Sequence, residues 1–250
     1  MRSASLMATQ GPALQRWLAP IVWLSLLLLL TLGMGQLEWL FRLLEPDLRQ
    51  VIYRRADFLT LLGQHVLVVG IASLLAVVVG VSAAVAVTRE FGRDFLPLVS
   101  QLASIGQTFP PVAVLALAVP ALGFGTLPII VALLLYGLLP IVRNTLAGID
   151  SVDPQVHEAA RAMGMTPWQV LRQVELPLAA PFILAGIRTS VTINIATAAL
   201  GTTVGASNLG DPIISGIVNG NTAYIVQGAV LIGLLALAVD SLFERLQRRA

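Results

Sequence analysis

Few side chains in this sequence are arranged for covalent chemistry. His157-Glu158 opens like the H-E-x-x-H zinc-hydrolase signature, but the fifth position is Arg161, so the second imidazole is missing. The other histidine, His65, lies far away, and with no cysteine there is neither a thiolate ligand nor a Cys nucleophile. Gly205-Ala206-Ser207-Asn208-Leu209-Gly210 does not match the G-x-S-x-G nucleophile elbow. Every basic residue is Arg. Without a Lys no Walker A loop can hold nucleotide phosphates, so any ATP and Mg must be bound by a partner chain. Tyr53, Tyr136, Tyr224 and the four Trp do not group along the sequence into a cation–π cage. Neither a catalytic nor a metal site is expected.

The residues best placed to act would act mechanically. Asp153 suits a helix N-cap and Pro154 the first helical position. Glu158-Ala159-Ala160-Arg161-Ala162-Met163-Gly164 follows, and Gly164 supplies a stop. Thr166-Pro167-Trp168-Gln169 then starts a second short helix with a capping box, which Pro177 of Val174-Glu175-Leu176-Pro177 is expected to end. Small alanines allow another protein surface to approach closely. Gly164 permits a sharp reversal. Glu158 can make a charge-assisted contact or hold the loop itself.

A second group of residues falls inside apolar stretches. Gln107 and Thr108 precede Pro110 and Pro111, whose missing donors kink a helix and free carbonyls. This predicts either a bent helix lining a pathway or a packing kink. Ser190, Asn194, Thr197 and Gly201 share one helical face, which suits a permeation path or a helix–helix seam. Arg188 is expensive at membrane depth but close enough to Pro181 to snorkel inward or bond the preceding loop. Asp211, with Asn219 and Asn221 after it, marks an outer-gate segment or a plain capped loop. Trp17, Trp23 and Trp39 suit membrane interfaces.

The elements that carry these residues follow from composition. Hydrophobic residues make up 57% of the chain and charged residues 11%, against roughly 25% charged in a soluble domain. Too little polar surface remains to cover a water-facing globule, so lipid is the main solvent. The net charge of +2 gives no reason to invoke nucleic acid. Charge-free stretches predict about six transmembrane helices near 18–36, 61–88, 95–121, 127–146, 181–201 and 223–243. The first of these is longer than a signal-peptide core and reads as a retained helix. A turn is expected at Gly123-Phe124-Gly125-Thr126. With both termini in the cytoplasm, every Arg except Arg42, Arg49, Arg54 and Arg55 falls inside or near the inner surface, as the positive-inside rule prefers. The capped segment, 147–180, is then an inner loop.

The capped loop resembles the signature of permeases of binding-protein-dependent ABC importers. Glu158, Ala159, Ala160, Gly164, Leu176 and Pro177 fall on its fixed positions, and Val174 replaces the usual Ile. From about His65 to Leu242 the chain is similar to permeases of the glycine betaine, choline and carnitine uptake systems. Gly106-Gln107-Thr108-Phe109-Pro110-Pro111, Leu139-Pro140-Ile141-Val142-Arg143-Asn144-Thr145 and Ala185-Gly186-Ile187-Arg188-Thr189 carry that likeness. The resemblance implies an all-α, methionine-importer-like permease core in the bacterial inner membrane, with a coupling helix around Glu158, Ala159, Ala160, Arg161 and Gly164. It also implies a cytoplasmic ABC ATPase dimer, a periplasmic substrate-binding protein and a second permease, identical or paralogous. Residues 1–57 lie outside the shared core, 58–245 form the transport domain, and 246–250 are a tail. Rival readings are an amino-acid permease of the same architecture and an ATP-independent secondary transporter or channel. The capped loop argues against the second, as does the lack of an evident two-half repeat. An intramembrane enzyme has no supporting constellation.

Overall fold

The computed structural model describes the backbone of residues 13–247 and the side chains of residues 17–247. All regular structure among them is helical. Helix α1 (Ala13–Gly33) runs through a 3-10 turn into α2 (Glu38–Leu44), and residues 45–57 form an irregular strap. Asp57 then caps α3 (Phe58–Val87) by accepting the Thr60 N–H at 3.1 Å. There follow α4 (Leu96–Thr108), α5 (Pro111–Leu122) and α6 (Thr126–Asp150). The short helices α7 (Pro154–Ala162) and α8 (Pro167–Val170) lead through a π turn, Leu171–Glu175, into α9 (Leu176–Ala198). The chain ends with α10 (Gly210–Asn219) and α11 (Thr222–Gln247).

Among the described residues, five helical stretches are long and apolar enough to cross a membrane, and a sixth crossing requires α4 and α5 to count together. Their outer faces are hydrocarbon: Leu29, Leu32, Leu67 and Leu74 are all well exposed. In water this would be unfavourable, whereas in lipid it is the expected solvation. At the centre α6 packs along α3 and α9, while α1 and α10 lie on α11. Gly186 of α9 lets the α6 backbone come close. A Cβ there would sit 2.7 Å from the Pro140 carbonyl oxygen and 2.8 Å from the Asn144 Cβ.

Two expectations are corrected by this architecture. The stretch 95–121 is broken rather than merely kinked: α4 and α5 meet at 101° and make one crossing only if the two are counted together. Phe109 precedes Pro110 and Pro110 precedes Pro111, so two successive residues are pushed out of the α region, with ψ of 140° and 138°. A single Pro bends a helix, whereas this pair interrupts it. At 13 and 12 residues, the halves are about 20 and 18 Å long, short of the ~30 Å hydrocarbon core.

The second correction concerns Pro177, which does not end the second loop helix. Helical structure continues from Pro167 to Val204. The π turn shifts the bonding register, with the Leu176 N–H donating to the Leu171 carbonyl. Pro177 then stands in the first turn of α9, where a missing N–H breaks no α-helical bond. The helix of the predicted fifth span therefore starts in the loop itself and not at Pro181.

Candidate functional site

The capped loop is a built surface. Asp153 accepts the Gln155 N–H at 2.8 Å, and Pro154 opens α7. The helix closes by a Schellman arrangement, in which the Gly164 N–H reaches the Arg161 carbonyl and the Met165 N–H reaches that of Ala160. Gly164 has φ +80° with open space around it, so backbone conformation is what asks for glycine there. The Thr166–Gln169 capping box is complete in both directions.

The loop keeps one face against the body and offers the other outward. Ala160 is buried, as are Val170 and Leu171 beyond the reversal. Glu158, Ala159, Arg161 and Gly164 are exposed, Leu176 is half-buried and Pro177 is exposed. Met163 and Trp168 are exposed to 74% and 64%. Two large apolar side chains standing out from a polar loop are the feature that its spacing pattern did not single out. The available signal was an aromatic residue directly after the Pro of a capped turn.

Glu158 makes no side-chain hydrogen bond or ion pair among the described residues, so it does not hold the loop. Glu175 does. Its carboxylate, 7% exposed, accepts from Arg89 just beyond α3 at 2.5 Å and from His157 Nε2–H of α7 at 3.1 Å. One buried anion thus meets side chains from two other parts of the chain.

Gln107 and Thr108 sit on the last turn of α4. The Gln107 amide donates to the Tyr136 carbonyl at 3.0 Å, and the Thr108 hydroxyl to Ile105 at 2.8 Å. At the break, the Tyr136 hydroxyl donates to the Phe109 carbonyl, which the following prolines leave without a helical partner. Pro110 is exposed and Pro111 half-buried.

On α9, Ser190 and Asn194 are fully buried, while Thr197 is half-buried. Asn194 donates to Ser73 of α3 at 3.1 Å. A Cβ on Gly137 of α6 would come 2.5 Å from the Ser190 hydroxyl. Within the protomer these polar groups lie in a three-helix seam. His65 of α3 joins the same packing through the Ile195 carbonyl, at 3.0 Å from Nε2.

Arg188 does not bond the preceding loop. It makes a bidentate pair with Asp240 of α11, at 2.6 and 2.7 Å, and reaches Gln247. Sequence proximity pointed to the loop, but α11 returns alongside α9 and supplies a carboxylate at the same level.

At the opposite end, Asp211 accepts from Thr202, Ser207 and the Asn208 N–H, tying the α10 start to the preceding turn. A recess of about 350 Å³ there is lined by residues including Tyr53, Arg55 and Asp211. The aromatic residues are less scattered than their spacing indicates. Tyr53 meets Tyr224 edge-to-face at 5.5 Å and Phe58 at 6.3 Å. Both tyrosines are buried, so the cluster is packed and presents no open cage. Burial, with Asp211 nearby as a lesser cause, pushes the Tyr53 hydroxyl pKa up.

The described residues form a bundle of lipid-facing helices that carries a capped helix pair with one face exposed, the architecture of a multi-pass membrane protein. Residues 76–250 match the family described as binding-protein-dependent transport system inner membrane component, and the chain belongs to that family. It is 43% identical over 196 residues to the osmoprotectant import permease protein OsmY of Salmonella typhimurium, covering 78% of this chain and 83% of that protein. It is 40% identical over 187 residues to the glycine betaine/carnitine/choline transport system permease protein OpuCB of Bacillus subtilis, covering 75% and 85%. The fold is similar to that in inward-facing structures of the MetNI methionine ABC transporter, with a TM-score of 0.67 at 24% identity over 76% of this chain and 94% of that one. A crystal structure of an amino acid ABC transporter with histidines gives 0.65 at 20% identity, over 77% and 93%.

Proposed function

We propose that the chain is the non-catalytic membrane subunit of an ATP-driven importer for a small osmoprotectant such as glycine betaine, choline or carnitine. The observation that carries the coupling role is the outward face of α7 and α8, stiffened at both ends by caps and presenting Met163 and Trp168 beside Glu158, Ala159 and Arg161. Burying such a face requires a protein groove. The partner is a cytoplasmic ABC ATPase dimer, which binds the ATP and Mg that this chain, lacking Lys, has no P-loop to hold. The positive-inside pattern puts both termini and the loop in the cytoplasm.

A second permease, identical or paralogous, completes the path, and a periplasmic binding protein delivers the solute. Closure of the ATPase dimer presses on α7. Because helical structure continues from α8 through the π turn into α9, displacement of the loop is passed on toward a long transmembrane helix. The solute class rests on the osmoprotectant, carnitine and choline systems to which the relatives' names assign them.

The test is uptake of labelled glycine betaine into proteoliposomes holding the complete importer. Uptake is expected to require ATP and the binding protein. Gly164→Trp, forced into a left-handed conformation, is expected to abolish it with no loss of protein from the membrane. Normal uptake by that variant, or flux without any ATPase, would overturn the coupling role. Competition by methionine in place of choline or carnitine would move the solute class to amino acids.

A further inference from the structure

We infer that Glu175 is the positioning residue through which α7 moves the membrane helices; the inference rests on the coupling role just proposed and adds to it a specific joint. Three observations converge on this carboxylate. It is buried at 7% side-chain exposure. It is the last residue of the π turn, directly before α9. And it is shared, with Oε1 taking the His157 N–H at 3.1 Å and Oε2 the Arg89 guanidinium at 2.5 Å.

A buried carboxylate with two charge-assisted donors resists separation from either one, because removing a donor leaves an anion uncompensated in a low-dielectric place. His157 lies on the inward side of α7, one residue before the outward-facing Glu158. Arg89 lies one residue past Thr88, the C-cap of α3. Force on α7 therefore reaches α9 by two routes: along the chain through α8, and across the short path His157–Glu175. Both routes meet at Glu175, which Arg89 ties to the end of α3, but only the second joins α7 to that carboxylate without passing through the turn. The π turn supplies the compliance, since a π segment is locally wider and less regular than the helices it joins. With the polar joint intact, α7, the π turn and the end of α3 move as one body. With it cut, α7 can tilt while the turn absorbs the motion.

The prediction concerns the ratio of solute moved to ATP hydrolysed, not the amount of folded protein. The experiment uses the complete importer in proteoliposomes, with glycine betaine uptake and phosphate release measured on the same vesicles. His157→Ala, on a partly exposed helix, removes only the α7 side of the joint and is expected to lower the uptake-to-ATP ratio at least about fivefold while the ATPase stays bound and active. His157→Gln, whose amide nitrogen stands close to the position of Nε2, is expected to restore at least half of the ratio. Glu175→Gln is expected to uncouple like His157→Ala, and if it is lost from the membrane the two His157 variants decide alone. An unchanged ratio in His157→Ala, or a fall that His157→Gln does not relieve, overturns the role of Glu175. Failure of the wild-type chain to retain an ATPase would instead overturn the coupling role itself, and this inference with it.

Discussion

The two ends of the molecule are held together by different chemistry. At the end away from α7 the strap 45–57 is fastened to α11 and the residue before it by side-chain amides, with the Glu45 carboxylate accepting the Thr222 N–H at 2.9 Å. Gln227, fully buried, accepts from the Tyr53 N–H and donates to the Val51 carbonyl. Asn221 donates to the Gln50 carbonyl. Val51, Ile52 and Tyr53 are buried in the same core as α1, α3 and α11. At the α7 end, α7 packs little side-chain volume against the body and is fixed by backbone caps and one shared carboxylate. Packing plus buried backbone pairing gives an end with one arrangement. Caps plus a charged joint give an element that stays folded in itself while its attachment can be loaded.

Three changes would break or sharpen that contrast. The largest effect is expected at Gln227→Leu, which leaves the Tyr53 N–H and the Val51 carbonyl buried without partners. At about 1–3 kcal/mol for each unsatisfied group, the loss is expected to be about 3 kcal/mol. It would be read as a lower unfolding temperature in detergent and as new tryptic cleavage after Arg54 and Arg55. A strap that stays protected would mean that packing alone holds it. Asp153→Ala removes the α7 N-cap, at a cost of about 1 kcal/mol. Faster amide exchange is expected over 154–162 alone, with the strap end unchanged, and exchange spreading to 45–57 would contradict the independence of the two ends.

The smallest effect is a pH dependence at Glu45. Hydrogen bonds from the Thr222 hydroxyl and N–H hold its carboxyl below the usual value of 4.5. A depressed folded value means that the contribution is full above 4.5 and disappears as pH falls through the folded pKa. Protection of the Thr222 amide should drop in that acid window and not at neutral pH, and Glu45→Gln should remove the dependence.

Much of the α7–α8 end was legible because its signals are local. Asp153, Gly164, Thr166 and Gln169 work within four residues of their partners, so sequence order alone places them. Pro177 was misplaced because one residue type has two uses: it ends an α-helix in the interior but is tolerated in the first turn after a register shift, and no local pattern announced the π turn. The paired prolines 110 and 111 announced a distortion, but its size depended on both preceding residues leaving the α region together. Arg188–Asp240, Arg89–Glu175 and Tyr53–Tyr224 join residues from distant parts of the chain, and nothing in the spacing of either member names the other.

Sequence alone determined that this chain lives in lipid, roughly where it crosses, and that it carries a stiff, capped loop with the signature of a transport permease. These follow from composition, charge placement and short-range capping, none of which needs a third dimension. Tertiary structure decided which polar groups meet: the pair of Ser73 with Asn194, the amide clasp of Gln227, and the joint at Glu175. Such pairs are chosen by how helices pack against one another, because a polar side chain away from water takes its partner from whichever neighbouring helix or strap lies at its own depth.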